Sequence, residues 1–421
     1  MLKASYSLNS YGRTVFALCI VLCFTHSVSS THAHQRKAAS LISPIGDPID
    51  VWDSVDTWKR CSIVDVPDIP SRVYAEAKDK MHMIEGSTHF FPMTGDSIFN
   101  FTRSCKPAWN MTGDGNPAMF AGNEFLDSAI AFSNGTVVSL IHTEFPGNRY
   151  NMCNSTAYPL CWTVTIGLAI SHDWGATWSH VRPPPHHLMA AVPYVYDEKK
   201  LAYGWGDPSN IVLNPRDGYY YVAMWNRHQI GKQKSGICIA RTRQLLDPSS
   251  WRGWDGKGFS TTFVSPYSLD PKAPKEQHIC TVIENVPTLC AALSMVWSTY
   301  LEKFVMTIGC FDELSKSFYI STSDDLIHWT TMRPFFDADI LPPRVKKMIT
   351  SIGYPALLDP IAFSSYGDRN FYTIGKEPYL FWVSLGHSPY TDGRHLWASP
   401  MRFNSEEGVL SNVSSSYTTV L

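Results

Sequence analysis

The sequence feature that most constrains the fold is a segment that recurs at long intervals. The stretch Ser171–Trp178 (SHDWGATW) has a second form at Ser323–Trp329 (SDDLIHW) and a looser third form at Arg241–Trp251. Each form follows a short run of small or β-branched residues, and the final tryptophans are 73 and 78 residues apart. Self-similarity at a fixed long period indicates that one supersecondary unit is repeated. A period of about 75 residues divides the chain from Cys61 onward into five units.

The stretches between these segments predict strands rather than helices. Short β-rich runs alternate with Asn-Gly and Asp-Gly turns, as in Ser128–His142 and Asn210–Trp225. Such turns between apolar runs are typical of β-hairpins. We therefore predict an all-β fold, a β-propeller of five blades of four-stranded antiparallel sheets, with six blades as the alternative. The predicted domain is residues 61–421, after a signal peptide and short leader at 1–33 and an N-terminal extension at 34–60.

The recurring segment resembles the Asp-box of sialidases and related propellers. Its second form is similar to a turn of five-bladed glycoside hydrolases. The resemblance implies that Asp173 caps backbone amides, that Gly175 has a positive φ, and that Trp178 packs between sheets, far from any active site. Other segments, such as His142–Gly147 and Pro208–Ile211, resemble an uncharacterised secreted group that supplies no activity.

The N-terminus has the pattern of an export signal. A basic start at Lys3 and Arg13 precedes ten apolar residues, Val15–Phe24, and then small and polar residues. A bilayer span needs about 20 apolar residues, so we expect a cleaved signal and no span afterwards, with an uncleaved anchor as the alternative. The predicted location is extracellular.

Cysteine usage agrees with export. An even set in an exported chain suggests disulfides, and local pairs Cys153–Cys161 and Cys280–Cys290 are plausible, although spacing leaves the connectivity open. No CxxC pair is present, so we expect no metal site of the zinc-cysteine kind. After signal cleavage eight cysteines remain: Cys61, Cys105, Cys153, Cys161, Cys238, Cys280, Cys290 and Cys310.

Composition narrows the partners. The formal net charge of −2 gives no electrostatic reason to expect nucleic acid. Aromatic residues make up 13% of the chain, which suits an oligosaccharide or polysaccharide partner. Five Asn-x-Ser/Thr sequons are candidate glycan acceptors in an exported chain: Asn100, Asn110, Asn134, Asn154 and Asn412.

Candidate catalytic groups come from the geometry of a propeller. The segments that lead into the innermost strands converge at one mouth of the central channel. We place these at Asp68–Arg72, Asn123–Asp127, Gly206–Asn210, Glu284–Pro287 and Leu358–Pro360, and each carries a carboxylate. Glycoside hydrolysis needs two carboxyl groups in different environments. The predicted acid and base are drawn from Glu124, Asp207 and Glu284, with Asp127 and Asp359 in reserve.

One of these carboxylates has a resemblance of its own. Asp207-Pro-Ser, followed by a strand and Asp217-Gly-Tyr-Tyr-Tyr, is similar to the opening of a blade in five-bladed glycoside hydrolases. That resemblance implies a general base, or a carboxylate that tunes the acid, at Asp207. An aspartate before proline is also a common turn former, so a purely structural role stays open.

The predicted substrate-binding residues form two groups. His142 and Glu144 are two positions apart on one strand and share a face, as substrate contacts or as a structural pair. Arg72, Arg241 and Arg369 could clamp a substrate carboxylate as three arginines do in sialidases. The complete set is Arg72, His142, Glu144, Asn210, Arg241 and Arg369.

We therefore interpret the chain as a secreted carbohydrate-active enzyme that resembles glycoside hydrolases. The alternatives are a non-catalytic, lectin-like or interaction propeller, a sialidase, and a polysaccharide lyase. No cofactor is expected, with a structural calcium ion left open.

Overall fold

The structure is a computed structural model that describes residues 40–62, 65–155, 159–311, 316–385 and 394–405. The predicted signal peptide lies outside these residues. The described chain is all-β, with 28 strands and three short α-helices, α1 Ser54–Cys61, α2 Pro343–Lys346 and α3 Ala362–Tyr366. The predicted fold class is therefore confirmed.

The strands are numbered β1 to β28 in chain order. They are Ile42–Pro44, Ile49–Asp53, Arg72–Ala77, Lys80–Ile84, His89–Phe90, Met93–Ser97, Asn100–Arg103, Trp109–Asn110, Asn123–Leu126, Ile130–Ala131, Val137–Pro146, Trp162–Ser171, Ser179–His180, Leu188–Ala190, Tyr203–Gly204, Val212–Asn214, Tyr219–Asn226, Gly236–Thr242, Arg252–Trp254, Phe259–Thr262, Cys290–Ser298, Lys303–Cys310, Ser317–Ser323, Arg333–Asp337, Ser351–Leu358, Thr373–Ile374, Tyr379–Leu385 and His395–Phe403.

Four sheets have the form of propeller blades. Blade I is β3-β4-β6-β7, blade II contains β10-β11-β12-β13, blade III is β16-β17-β18-β19-β20, and blade IV contains β21-β22-β23-β24. Each is an antiparallel meander built from one stretch of chain, with only short additions. The predicted number of five or six such blades is corrected to four.

A further sheet, which we call the closing sheet, combines the two ends of the described chain. Its strands β25, β27 and β28 come late in the sequence, and β1 and β2 both pair with β28. Residues 42–53 were predicted to lie in an extension outside the propeller. That boundary is wrong, because Ile42 pairs with Phe403 and is fully buried.

Apolar clusters fill every interface around the ring. Five buried clusters lie in turn between blades I and II, II and III, III and IV, IV and the closing sheet, and the closing sheet and blade I. A sheet covered on both faces needs apolar residues at successive positions, and Val137–Ile141 (VVSLI) in β11 is buried at all five. A narrow cavity at the centre is lined from β3, β21, β25 and the segments before β10 and β16.

The recurring segment folds into the same turn twice. In the first copy the Ser171 hydroxyl accepts from the Gly175 amide (2.8 Å), and Asp173 accepts from the Thr177 amide (2.9 Å). Gly175 has φ +84°, and Trp178 Nε1 donates to its carbonyl (3.0 Å). The turn geometry predicted for Asp173, Gly175 and Trp178 is therefore present.

The second copy repeats these contacts with a different residue at the glycine position. The Ser323 hydroxyl accepts from the Leu326 amide (2.9 Å), and Trp329 Nε1 donates to the Leu326 carbonyl (3.0 Å). Leu326 has φ +68° and is fully buried. The turn therefore needs the left-handed conformation more than it needs glycine itself.

All eight predicted cysteines form disulfides. The pairs are Cys61–Cys105, Cys153–Cys161, Cys238–Cys280 and Cys290–Cys310. The predicted Cys153–Cys161 pair is confirmed. The predicted Cys280–Cys290 pair is wrong. Cys280 is bonded to Cys238 on β18, and Cys290 is bonded to Cys310 on β22.

Surface features bear on the predicted location. Asn100, Asn110, Asn134 and Asn154 are exposed, and Asn412 lies outside the described residues. No helix within the described ranges is both long and apolar enough to cross a bilayer. Four disulfides are consistent with an extracellular protein.

Candidate active site

A cavity of about 120 Å³ brings several of the predicted site residues together. Blades II and III, Phe311 at the end of β22 and the closing sheet contribute to its wall. Its lining consists of His142, Glu144, Trp162, Val164, Ala202, Asp207, Trp225, Arg227, Phe311 and Tyr354.

Strand β11 supplies the first two polar groups. His142 and Glu144 alternate with Thr143, and successive side chains of a strand point to opposite faces. Both face the cavity as predicted, with His142 Nε2 3.5 Å from Glu144 Oε1. The Glu144 side chain keeps 25% of its surface exposed and the His142 side chain 9%.

Asp207 reaches the cavity from a strained backbone. It lies between Gly206 and Pro208 with φ +42°, in the left-handed region that aspartate tolerates better than most residues. Its amide donates to Nδ1 of His142 (3.0 Å). Strain of this kind is often concentrated at functional sites.

Burial and charge set the ionisation of these groups. Burial raises the pKa of Asp207 despite the nearby His142, and Glu144 and Asp68 add to the rise. Burial lowers the pKa of His142, but its contact with Glu144 and the charges of Asp207 and Asp127 outweigh burial and bring it to about 9. The Asp207 amide opposes that rise, because it needs a lone pair on Nδ1. The pKa of His142 is nevertheless raised, because the three carboxylates Glu144, Asp207 and Asp127 lie near the ring.

The closing sheet contributes Tyr354 through a bulge. The β25–β27 register shifts between Gly353 and Ala356, and Tyr354 has φ +56°. A bulge re-aims the side chain it carries. The Tyr354 hydroxyl donates to Asp68 Oδ1 (3.0 Å), which also forms an ion pair with Arg394. Burial raises the pKa of Asp68 although Arg394 lowers it.

Behind the cavity lies the buried pair Arg72 and Asp127. Arg72 donates to the carbonyls of Asp127 (2.9 Å) and Pro208 (3.1 Å), and its Nη2 is 3.6 Å from Asp127 Oδ1. Burial raises the pKa of Asp127 to about 7, and only part of that rise is offset by Arg72 and His142. Burial lowers the pKa of Arg72 to about 10. Arg72 therefore ties three segments around the axis rather than facing the cavity.

Aromatic side chains form the remaining walls. Trp162, Trp225, Phe311 and Tyr354 surround the polar groups, and Trp225 and Phe311 stack at 5.0 Å between ring centroids. The guanidinium of Arg227 lies 5.1 Å from the Trp225 ring centroid and 4.8 Å from that of Phe311. An aromatic wall beside converging carboxylates suits the apolar faces and hydroxyl edges of a sugar.

Three predicted catalytic carboxylates lie elsewhere. Glu124 points to the opposite face of blade II, where it contacts His180 (2.6 Å). Glu284 is exposed in the loop before β21. Asp359 follows the innermost strand β25 instead of preceding it, and accepts from the amides of Ile361 and Gly375. The prediction that all five carboxylates converge is therefore wrong.

Three predicted substrate-binding residues also have structural partners. Asn210 bonds the Met295 backbone in both directions (2.7 Å each). Arg241 contacts Asp217 and Tyr221 within blade III. Arg369 donates to the carbonyls at the end of β3. Arg72 is also occupied, because it donates to the carbonyls of Asp127 and Pro208. The predicted three-arginine clamp is therefore not formed.

Sequence reasoning missed Arg394 and Arg227, and for aromatic residues such as Trp225 and Tyr354 it favoured blade packing over sugar binding. Asp68 was recognised only as part of the segment before β3. Tyr354 and Arg394 meet Asp68 from 286 and 326 positions away. Local sequence spacing does not indicate contacts between residues so far apart. The high aromatic content of the chain was a weak indication of the aromatic wall.

No protein-family model and no curated protein matches this sequence. Solved structures of similar fold include a family 117 glycoside hydrolase from the marine bacterium Zobellia galactanivorans, with 9% identity, 88% of this chain and 92% of that chain covered, and a TM-score of 0.49. A glycosyl hydrolase from Bacteroides ovatus has 11% identity, coverages of 86% and 91%, and a TM-score of 0.44. An exo-β-1,3-galactanase from Phanerochaete chrysosporium has 9% identity, coverages of 82% and 66%, and a TM-score of 0.43.

Proposed function

We propose that this protein is a glycoside hydrolase that cleaves its substrate in the 120 Å³ cavity. The observation that supports the proposal is the meeting of Glu144 and Asp207 at one cavity with an aromatic wall. Glycosidic bond cleavage uses two carboxyl groups whose environments hold them in different protonation states. The pair available here differs from the sequence prediction, because Glu144 replaces Glu124 and Glu284.

The two carboxyl groups have unequal environments. Asp207 is held at a strained position, and burial raises its pKa, so it is the proton donor to the leaving-group oxygen. The Glu144 side chain keeps 25% of its surface exposed, and its Oε1 lies 3.5 Å from Nε2 of His142. Glu144 therefore serves as the base or nucleophile. His142 positions both groups, because it contacts the amide of one and the carboxylate of the other.

The substrate is an oligosaccharide or polysaccharide outside the cell. Aromatic rings bind the apolar faces of sugars, and here they flank the two carboxyl groups. The apolar N-terminal segment and the four disulfides support export into an oxidising compartment. Acid–base chemistry by two carboxyl groups requires no cofactor.

The proposal is tested by a cleavage screen on purified protein. Glycans and chromogenic glycosides are offered to the wild type and to Asp207→Asn, Glu144→Gln and Glu284→Gln. We expect cleavage by the wild type and by Glu284→Gln, which changes an exposed carboxylate outside the cavity. The two cavity variants should lose at least about 100-fold in kcat, because general acid–base groups contribute 10²–10⁴-fold.

Two outcomes would overturn the proposal. Cleavage that persists in both cavity variants would place the chemistry elsewhere. No cleavage of any substrate, with glycan-array binding that both cavity variants retain, would favour a lectin-like propeller.

A further inference from the structure

A second polar cluster lies on the opposite face of blade II from the cavity. It consists of Glu124 on β9, His180 on β13 and His187 just before β14. Each offers a ligand atom, and these atoms lie within 4.8 Å of one another. The function proposed above uses none of the three.

The cluster is built into the protein interior. The side chains of Glu124 and His187 are fully buried, and that of His180 is 15% exposed. Trp109 covers the His180 ring, with 4.9 Å between ring centroids. The His187 ring occupies space that only glycine allows at position 167, since a Cβ there would lie 2.5 Å from His187 Cδ2.

The interatomic distances bracket those of a metal site. Glu124 Oε1 is 2.6 Å from His180 Nε2 and 4.0 Å from His187 Nε2. Ligand atoms about 2.1 Å from a tetrahedral metal ion are about 3.4 Å apart. The nitrogens of His180 and His187 lie within 4.8 Å of each other, so shifts of about 1 Å or less would place all three atoms around one ion.

The surrounding contacts also suit a metal site. The second oxygen of Glu124 accepts from the Thr112 amide (2.7 Å), which fixes the carboxylate. The third ligand atom, Nε2 of His187, donates to the Phe120 carbonyl (3.1 Å), so a metal ion bound there would replace the proton of that hydrogen bond.

We propose that Glu124, His180 and His187 form a binding site for a divalent transition-metal ion, with Zn²⁺ as the first candidate. Two imidazoles and one carboxylate are ligands that zinc accepts readily. Calcium takes six to eight oxygen ligands, which this cluster does not offer. The ion would join β9 to the segments around β13 and β14, and so has a structural role.

The test measures metal binding directly on the full-length protein. After chelation, Zn²⁺ is titrated by calorimetry into the wild type, Glu124→Gln, His187→Gln and the control His186→Gln. His186 is the exposed neighbour of His187. We expect one equivalent to bind the wild type and the control, and to raise Tm. Loss of an outer contact to a metal ligand costs 10–100-fold in affinity, so loss of a ligand should cost at least about 100-fold.

A second measurement needs no variant. Co²⁺ added to the stripped wild type should give the visible absorption of a low-symmetry nitrogen- and oxygen-ligated ion, and equimolar Zn²⁺ should abolish it. The proposal is overturned if no equivalent of Zn²⁺ binds, if Ca²⁺ competes equally, or if both ligand variants bind as the wild type does. In the last case the three residues serve only to hold neighbouring strands together by hydrogen bonds. Asp207→Asn should bind Zn²⁺ normally, so this outcome is independent of the proposed hydrolase activity.

Discussion

At the scale of single residues, the site is built where the backbone departs from regular strand geometry. Asp207 and Tyr354 both have positive φ values and both line the cavity. The sequence predicted Asp207, because an aspartate before proline is visible as a motif. It did not predict Tyr354, because a bulge in β25 depends on pairing with a strand more than twenty residues later.

The first prediction concerns His142, whose charge lowers the pKa of Asp207. His142→Asn removes the imidazole and with it this positive charge. The pKa of Asp207 should then rise, and the basic limb of the kcat/KM profile should move to higher pH. A limb that stays in place or moves to lower pH would contradict the assignment of Asp207 as the acid.

The second prediction concerns Gly175 in the first copy of the recurring turn. In Gly175→Ala the new Cβ would lie 2.2 Å from the hydroxyl oxygen of the buried Tyr74, and φ is +84°. Strain and overpacking together should lower the free energy of unfolding by about 2–4 kcal/mol. The control Gly218→Ala has a positive φ but no atom within 4 Å, and should lose only about 1 kcal/mol. Equal losses in urea unfolding would show that the contact with Tyr74 is unimportant.

At the scale of strands and turns, successive side chains alternate between the two faces of a strand. This alternation decided which predicted site residues lie at the cavity. His142 and Glu144 are two positions apart, so the sequence placed them on one face correctly. Glu124 and Asp127 are three positions apart, and an extended chain directs them to opposite faces. Their shared assignment to the channel was therefore in conflict with strand geometry, and the structure places Glu124 beside His180 instead.

Whether a residue comes before or after its strand also decided whether its assignment to the site was correct. Asp359 was expected to lead into an inner strand, but β25 ends at Leu358 and Asp359 follows it. Hairpin signals locate strands within a few residues, and they do not tell which strand of a meander is innermost. The same limit explains why Glu284 was assigned to the site.

The third prediction tests the pairing of β2 with β28. His395 Nδ1 contacts Asp50 Oδ2 (2.8 Å), and although burial opposes it, this contact raises the pKa of His395. A raised folded-state pKa gives stability that is complete below the unfolded value of about 6.5 and is lost as pH rises through the folded value. Asp50→Asn should therefore be less stable than the wild type at pH 6, by about 0.5–1 kcal/mol, and nearly equal to it at pH 9.

The control for this prediction is Asp47→Asn, which changes an exposed carboxylate on the same segment. Urea unfolding of the three proteins between pH 6 and pH 9 gives the comparison. A difference between Asp50→Asn and the wild type that does not depend on pH would show that His395 does not titrate against Asp50.

At the scale of the whole molecule, the ring is closed by non-local pairing. The closing sheet joins β1 and β2 to β28, and the last apolar clusters form only when the chain ends meet. The sequence predicted the repeat and the β class because both are local patterns. It could not predict four meander blades with a composite closing sheet, because the partner strands lie some 350 residues apart.

The fourth prediction concerns the disulfide Cys61–Cys105, which links α1, next to the closing sheet, to the end of blade I. It spans 44 residues, whereas Cys153–Cys161 spans 8. Loop-closure entropy makes the first worth about 4 kcal/mol and the second about 2.5 kcal/mol. The double variant Cys61→Ser with Cys105→Ser should therefore lose more stability to urea than Cys153→Ser with Cys161→Ser. The reverse order would show that the link to blade I adds little to ring closure.

The central claim is that Glu144 and Asp207 direct water to a glycosidic bond, and isotope incorporation tests it most directly. A substrate found in the screen is cleaved in H₂¹⁸O, and the products are analysed by mass spectrometry. We predict one ¹⁸O atom at the newly released anomeric carbon with the wild type, and no labelled product above background with Asp207→Asn. An unsaturated, unlabelled product would instead show elimination by a lyase and would contradict the claim.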